Sequence, residues 1–409
     1  MNQSRLWIKP LKVFYLLVIM IITGSLSAYG TESLNDAIKN GKAIGELKIW
    51  YQTNDRETGN HGFLDKENSI FDAGLNLGYT TEKYKDFNVG INFYAINDLS
   101  AFDTIADNSI HGVDHSETTS WLGEAFLAYN RNNTTIKIGR QNIKSPLINS
   151  DGWAVFPNSF EAIWFQNKSI SDTSIVSSYV TRERTLKSHT FEDFVDDGGF
   201  MLGVENKSIK DIVLSGYYYH IKGSSDINSL YLQVTTKLNQ INISTQYMLF
   251  DSDAANSNST NAYGFLASSK IGKFNLSGAV STVDKGTLNA AKFSDNGIKT
   301  PLFTASMCAD GDIASATDTD SLKLTAGFSP LDKLSITGVY GYYDHGSSSS
   351  ASPNNESTSK EIIVKYTGFK NSTIFAAYVN SDHNGTGAWK GCTAGDALNS
   401  FRIWISYKF

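Results

Sequence analysis

Two histidines, His111 and His115, stand four apart with Asp114 beside the second. On a helix that spacing puts both imidazoles on one face near a carboxylate, a set able to hold a divalent metal. The surrounding residues show no helical periodicity, so the stretch is predicted as a solvated loop and no metal is expected. The two cysteines, Cys308 and Cys392, fall in two other predicted loops. In an oxidising compartment they could pair as a disulfide or stay apart, because their loops are not neighbours and would have to meet over the mouth of the fold. There is no GxSxG, no phosphate-binding glycine loop and no zinc-type cysteine cluster. Neither a catalytic residue nor a cofactor is expected.

The remaining residues that could do chemistry are charges set among apolar neighbours. Lys48, Lys137, Lys237, Lys323, Lys365 and Arg402 alternate with apolar side chains. Arg182 and Arg184 share one face of their segment. Arg140 breaks the register of Ile136 and Ile138 and is expected at a rim, or turned inward by a bulge. Cations gathered on one side of a sheet can attract anions and orient dipolar solutes. That requires a wall of strands to present them together.

The sequence supplies such a wall. LKIWYQ sets Leu47, Ile49 and Tyr51 against Lys48, Trp50 and Gln52. FNVGINFYA sets Val89, Ile91 and Phe93 against Asn88, Gly90 and Asn92, and LYLQVTTKL repeats the scheme from Leu230 to Leu238. This is the period of two expected of strands with one apolar and one polar face. Eighteen such segments are read, from 44–52 to 398–409, with 160–168 and 359–368 among them. Tight turns alternate with longer connections rich in Ser, Asn, Asp and Gly. The predicted fold is all-β: a transmembrane antiparallel β-barrel with short periplasmic turns and long extracellular loops. Charged side chains on the lipid face of such a barrel cost about 2–4 kcal/mol at the midplane, which favours placing Lys48, Lys137, Arg140, Arg182, Arg184, Lys323, Lys365 and Arg402 in the lumen. Tyr79, Tyr129, Tyr366 and Phe369 suit an interfacial girdle. A soluble β-sandwich or propeller shows the same alternation but not the loop asymmetry.

The third long connection, 141–159, is unusual. It carries Pro146, Leu147, Trp153, Val155, Phe156 and Pro157, which a loop in external water would avoid. An eighteen-stranded lumen is too wide for inward side chains to fill. The connection is therefore expected to fold into the barrel, its apolar residues on the wall and Asn149, Ser150, Asp151 and Asn158 lining the opening. Ser145, Pro146, Leu147, Asn149, Asp151, Trp153, Phe156 and Asn158 are the predicted constriction. An external loop packed on itself is the other reading.

The run IKIGRQNIKSPLINSDGWAVFPNSFEA resembles the strand and third loop of the OprD-type substrate-specific porins. The resemblance extends over most of the chain, from SLNDAIKNGKAIGELK through eighteen strands to Phe409. It implies a third loop that narrows the pore and rows of basic wall residues that guide carboxylate-bearing solutes past acidic groups on that loop. This chain has fewer arginines at such positions than a full basic ladder would use.

Residues 1–30 read as a signal peptide: a basic start at Arg5, Lys9 and Lys12, an apolar run from Val13 to Ile22, and Ala28 and Gly30 placed for cleavage. Its removal takes away three positive charges and no negative one, moving the net charge from −6 to about −9. That balance argues against a nucleic-acid partner. Residues 31–409 are expected to form one barrel domain. Phe401, Ile403, Ile405, Tyr407 and Phe409 form an apolar row of the kind that outer-membrane assembly machinery reads. The expected role is passive diffusion of small hydrophilic solutes, with preference for carboxylate or amino-acid-like molecules, by a monomer or trimer among outer-membrane lipids. A barrel lipase or protease and an adhesin-like barrel are the alternatives.

Overall fold

The computed structural model describes residues 31, 33–56, 63–65, 69–99, 118–150, 155–185, 188, 190–290, 293, 300–307, 313–346, 355–384 and 397–409. The predicted signal peptide, His111, His115, Asp151, Trp153, Cys308 and Cys392 lie outside them. Among the described residues no three metal-ligating side chains cluster, and no helix is long and apolar enough to cross a membrane.

The strands are β1 (Lys42–Arg56), β2 (Ser69–Thr80), β3 (Phe87–Asp98), β4 (Thr119–Arg131), β5 (Thr134–Gln141) and β6 (Ser159–Asn167). Next come β7 (Thr173–Arg184), β8 (Gly199–Asn206), β9 (Ile212–Ile221), β10 (Ile227–Leu238), β11 (Ile241–Ser252) and β12 (Thr260–Ile271). β13 (Phe274–Val283), β14 (Thr319–Leu331), β15 (Leu334–His345), β16 (Asn355–Tyr366), β17 (Ser372–Asn384) and β18 (Ala397–Lys408) complete the set. A two-residue ladder, Glu192–Asp193, extends the β7–β8 hairpin. Each strand pairs antiparallel with its sequence neighbours, and β1 pairs with β18 from Glu46↔Lys408 to Arg56↔Leu398. That last ladder closes the barrel and leaves no edge strand. Gly45 and Phe409 continue it, each N–H donating to the other's carbonyl at 2.8 and 3.0 Å. The expected antiparallel barrel of eighteen strands is thus the observed one.

Short turns connect alternate strand pairs, and their chemistry explains their tightness. Lys85, Asp86, Asn132, Asp172, Asp211, Asn239, Gly272 and Asn371 have φ between 49° and 72°. All but Lys85 are Asn, Asp or Gly, the residues that enter the left-handed region at least cost. At the start of the described chain, Ser33 caps the helix α1 (Leu34–Lys39) by accepting from the Asp36 N–H at 3.1 Å.

The two faces differ as the alternation requires. Leu47, Ile49, Val89, Ile91, Leu232, Val234, Ile405 and Tyr407 point outward and are 41–50% exposed. A continuous apolar belt of this extent suits hydrocarbon rather than water. Aromatic pairs mark its short-turn margin: Phe87–Tyr129, Phe274–Phe328, Tyr366–Phe369 and Tyr407–Phe409, with centroids 4.9–6.1 Å apart. Tyr247 and Tyr263 pair at the opposite margin, 5.2 Å apart. Inward lie Lys48, Trp50, Gln52, Asp72, Gln246 and Arg402, all buried. What buries them is chain that connects the strands.

Candidate functional site

Residues 142–158 contain their own small scaffold. Ser145 Oγ donates to the Ile148 carbonyl at 2.6 Å and accepts from the Ile148 N–H at 3.1 Å. Ser150 Oγ accepts from the Ile143 N–H at 3.0 Å. This turn drives Leu147 and Ile148 into complete burial. Leu147 is held from both sides: its N–H donates to Tyr219 Oη on β9 at 3.2 Å, and its carbonyl accepts from the Phe293 N–H at 2.8 Å. Further along, Phe156 stacks on Tyr94 of β3, centroids 4.8 Å apart, and meets Trp121 of β4 edge-on. Gly74 of β2 permits this approach, since a Cβ there would lie 2.4 Å from the Val155 side chain and 2.9 Å from Phe156. Lys48 of β1 donates to the Val155 carbonyl at 2.9 Å. Asn158 bridges the Asn149 carbonyl and Glu183 of β7, at 3.3 and 2.9 Å. The segment therefore touches inward-facing residues of β1–β4, β7 and β9.

A second connection does the same against the opposite arc, where the sequence suggested only a surface loop. Gln246 of β11 clamps residues 301–303, donating to the Pro301 carbonyl at 3.1 Å and accepting from the Phe303 N–H at 2.9 Å. Tyr343 of β15 donates to the Thr304 carbonyl at 3.1 Å, and Lys323 of β14 to the Ala305 carbonyl at 2.7 Å. Glu361 of β16 accepts from the Met307 N–H. Leu302, Ile313 and Ala314 are buried in one apolar cluster with Leu147, Ile148, Tyr219, Met248 and Phe250. The sequence did carry a signal for this, the apolar run Leu302, Phe303, Ala305 and Met307, diluted by polar neighbours on both sides.

The expected row of basic residues divides. Lys48, Lys323 and Arg402 face inward and are covered or tied to loop carbonyls. Lys137 lies over the inward Phe126 ring at 3.9 Å. Lys365 has the inward parity of Glu361 and is exposed. Two assignments need correction. Arg140 keeps the parity of Ile138, which is 51% exposed, and so leaves on the outward face. There it bonds Glu161 at 2.8 Å and lies over Phe191. Arg182 joins it, 3.5 Å from Glu161 and 3.9 Å from Asp193. The cause is a bulge: the register shifts between Glu161 and Ala162 opposite Thr181, so counting by twos from the buried Val180 misplaces Arg182. Neutralisation by two carboxylates offsets the outward charge. Arg184 ends β7 and lies 3.6 Å over Trp121, buried, rather than beside Arg182.

Of the predicted constriction, Leu147, Phe156 and Asn158 are buried, while Ser145, Pro146 and Asn149 are half-buried. Chemically the described interior offers loop carbonyls, amides and a few ammonium groups, and His345 at the long-loop end of β15 lies 3.2 Å from Ser357 Oγ and 3.0 Å from Thr319 Oγ1, all three buried.

No protein-family model matches the sequence, and no curated protein matches it. Solved structures do. Acinetobacter baumannii OccAB1 aligns with a TM-score of 0.75 at 12% identity, over 94% of this chain and 99% of that one. The Pseudomonas aeruginosa outer membrane protein OpdK, solved with vanillate, gives 0.74 at 12% over 91% and 99%. Pseudomonas aeruginosa OccK2 (OpdF), in complex with glucuronate, gives 0.71 at 14% over 91% and 97%. At such identities the likeness speaks to architecture, and the chain carries the fold of the OprD/Occ-type outer-membrane porins.

Proposed function

We propose that this chain is an outer-membrane porin admitting small hydrophilic solutes by passive diffusion, without enzymatic activity, and that it favours carboxylate-bearing or amino-acid-like molecules. The observation that carries the reading is the pair of loop segments hydrogen-bonded to inward wall residues on opposite arcs, Val155 to Lys48 and Ala305 to Lys323. A structural or adhesive barrel has no need of such internal ties, whereas a selective channel needs a fixed narrow passage. Residues 142–158 are the main constriction in this reading, with 300–307 completing it. Vanillate and glucuronate, bound by two neighbours of the same fold, are both carboxylates. Purified protein in planar bilayers should give stepwise conductance. A folded barrel that conducts nothing would sink the proposal.

The ties themselves can be tested. Lys48→Met removes a charge-assisted hydrogen bond worth about 1.5–3 kcal/mol. Single-channel records of the variant should show added substates as residues 155–158 loosen, against a steady wild-type level. An unchanged current trace would mean that Lys48 does not hold the loop.

Phe409 belongs to the same proposal as part of the segment read during assembly. Its ring is 57% exposed on the outward face, and its backbone pairs with Gly45. Deleting Phe409 should lower the folded fraction several-fold, seen as loss of heat-modifiable migration on gels, while Phe409→Trp retains it. Equal folding of the deletion variant would remove that role.

A further inference from the structure

Six of the short turns share a composition that chain reversal alone does not need. Asn167 to Thr173 reads NKSISDT, and Asn206 to Ile212 reads NKSIKDI. Both fold alike. The Asn side chain accepts from the N–H two residues on, at 3.0 and 3.2 Å, and the Thr173 and Ile212 N–H groups donate to the carbonyls of Ile170 and Ile209 at 3.1 Å. Phe369 holds the same place between β16 and β17, where the Ser372 N–H donates to its carbonyl at 3.2 Å. Each such turn lifts one apolar side chain out of the packing: Ile170, Ile209 and Phe369 are 50–61% exposed. Leu238, Ile271 and Leu331, at three other short turns, are 55–62% exposed.

Each of these residues has a lysine within two positions. Lys168, Lys210, Lys237, Lys270, Lys333 and Lys370 are exposed, and none has an ion-pair partner among the described residues. Residues 168–172, 207–211, 237–240, 270–273, 331–333 and 367–371 together hold eight lysines against three aspartates, in a chain of net charge −6. The opposite margin is reversed. Asp320, Asp344 and Glu356 are exposed cross-strand neighbours at the long-loop ends of β14–β16. Charge is thus sorted by end.

These turns begin where the aromatic margin stops. Lys273 precedes Phe274, which stacks on Phe328, and Phe369 meets Tyr366 edge-on beside Lys370. That is headgroup depth for a barrel whose apolar belt lies in hydrocarbon. An apolar tip with a lysine beside it suits such a boundary, the tip among acyl chains and the ammonium among phosphates. Zwitterionic lipid would cover the tips but bring no net negative charge to the lysines. The pattern also recurs at every second strand from β6 to β17. A compact acidic protein meets one side of such a ring, whereas lipid surrounds it.

We propose that the short-turn rim from β6 to β17 binds anionic phospholipid headgroups, each turn supplying an apolar anchor and a lysine. The inference rests on the membrane placement of the barrel and not on conduction.

Native mass spectrometry of the protein in neutral detergent tests it, with equal amounts of phosphatidylglycerol and phosphatidylcholine added. Phosphatidylglycerol should be retained about fivefold over phosphatidylcholine at low ionic strength, the scale of one lysine near an anionic surface, and the ratio should fall toward one at high salt. Combining Lys210→Gln, Lys273→Gln and Lys370→Gln should remove most of the preference and leave single-channel conductance at the wild-type level. The single variants, each expected to lower the ratio in part, guard against a triple variant that fails to fold, judged by heat-modifiable migration. Lys360→Gln, at an exposed position nearer the long-loop end of β16, should leave the ratio unchanged. Equal retention of the two lipids by folded wild-type protein, or a preference that survives in the lysine variants, overturns the inference while leaving the channel reading intact. Pelleting with isolated peptidoglycan that the triple variant loses, with no lipid preference, overturns it in favour of an acidic polymer.

Discussion

Deleting Ser145 to Asn158 should raise single-channel conductance by about twofold or more and blunt selectivity, because current follows the narrowest open cross-section. The deletion is structurally modest. Gln141 pairs with Phe160, so residues 142–144 and Ser159 would still join β5 to β6 as a short hairpin. What is lost lies inside. Leu147 and Ile148 leave the interior cluster, and Phe156 leaves Tyr94 and Trp121. The barrel ladders do not depend on these contacts, so the variant is expected to fold and run as a heat-modifiable band. Unchanged conductance from such folded protein would place the segment outside the path of the current, and the constriction assigned to it would fall.

The second large effect is expected from the other arc. Deleting 288–315 leaves a seven-residue connection between β13 and β14, whose ladder runs from Phe274↔Phe328 to Val283↔Thr319. Conductance should again rise by about twofold. The charge of the passage should also change, because Lys323 loses the Ala305 carbonyl and Glu361 loses the Met307 N–H. Lys323→Gln should therefore shift the reversal potential in a salt gradient more in the deleted background than in the intact protein. The two deletions should not add. Leu147 and Phe293 hold the segments together by a hydrogen bond, and residues that share partners couple. Conductance equal to wild type in the 288–315 deletion would mean that this segment is packing only.

Most of the barrel was legible because two independent signals agreed. Alternation fixed the faces, and turn chemistry fixed the ends: 160–168 was read for a strand that spans Ser159–Asn167. One shortfall is β16, read from 359 although it begins at Asn355. Its first turn of sequence, NESTSKE, has no apolar member to mark an outward face, since it stands beyond the apolar belt. The interior character of Leu147, Val155 and Phe156 was legible for a simple reason: apolar residues in a connection must find a dry place. The 284–318 connection escaped because its apolar run, Leu302 to Met307, is diluted by polar neighbours on both sides. Arg182 was misplaced because a single inserted residue at Thr181 changes the later parity of β7, and no local composition announces it. Arg140 was misplaced for the opposite reason: no bulge turns it inward, and it keeps the outward parity of Ile138. Thus the fold came from repeated patterns, whereas the site depends on isolated contacts between distant segments, which a single sequence does not display.

The ladder between β1 and β18 has a temporal consequence. These are the first and last strands of the barrel in sequence, so the contact that seals the cylinder joins almost the longest interval the chain possesses. Local hairpins can form early, one tight turn at a time, but each leaves an unpaired flank until that final meeting. Closure must come last and all together. Until then both flanks of the ribbon carry unpaired backbone groups, and only the meeting of its two most remote strands removes them.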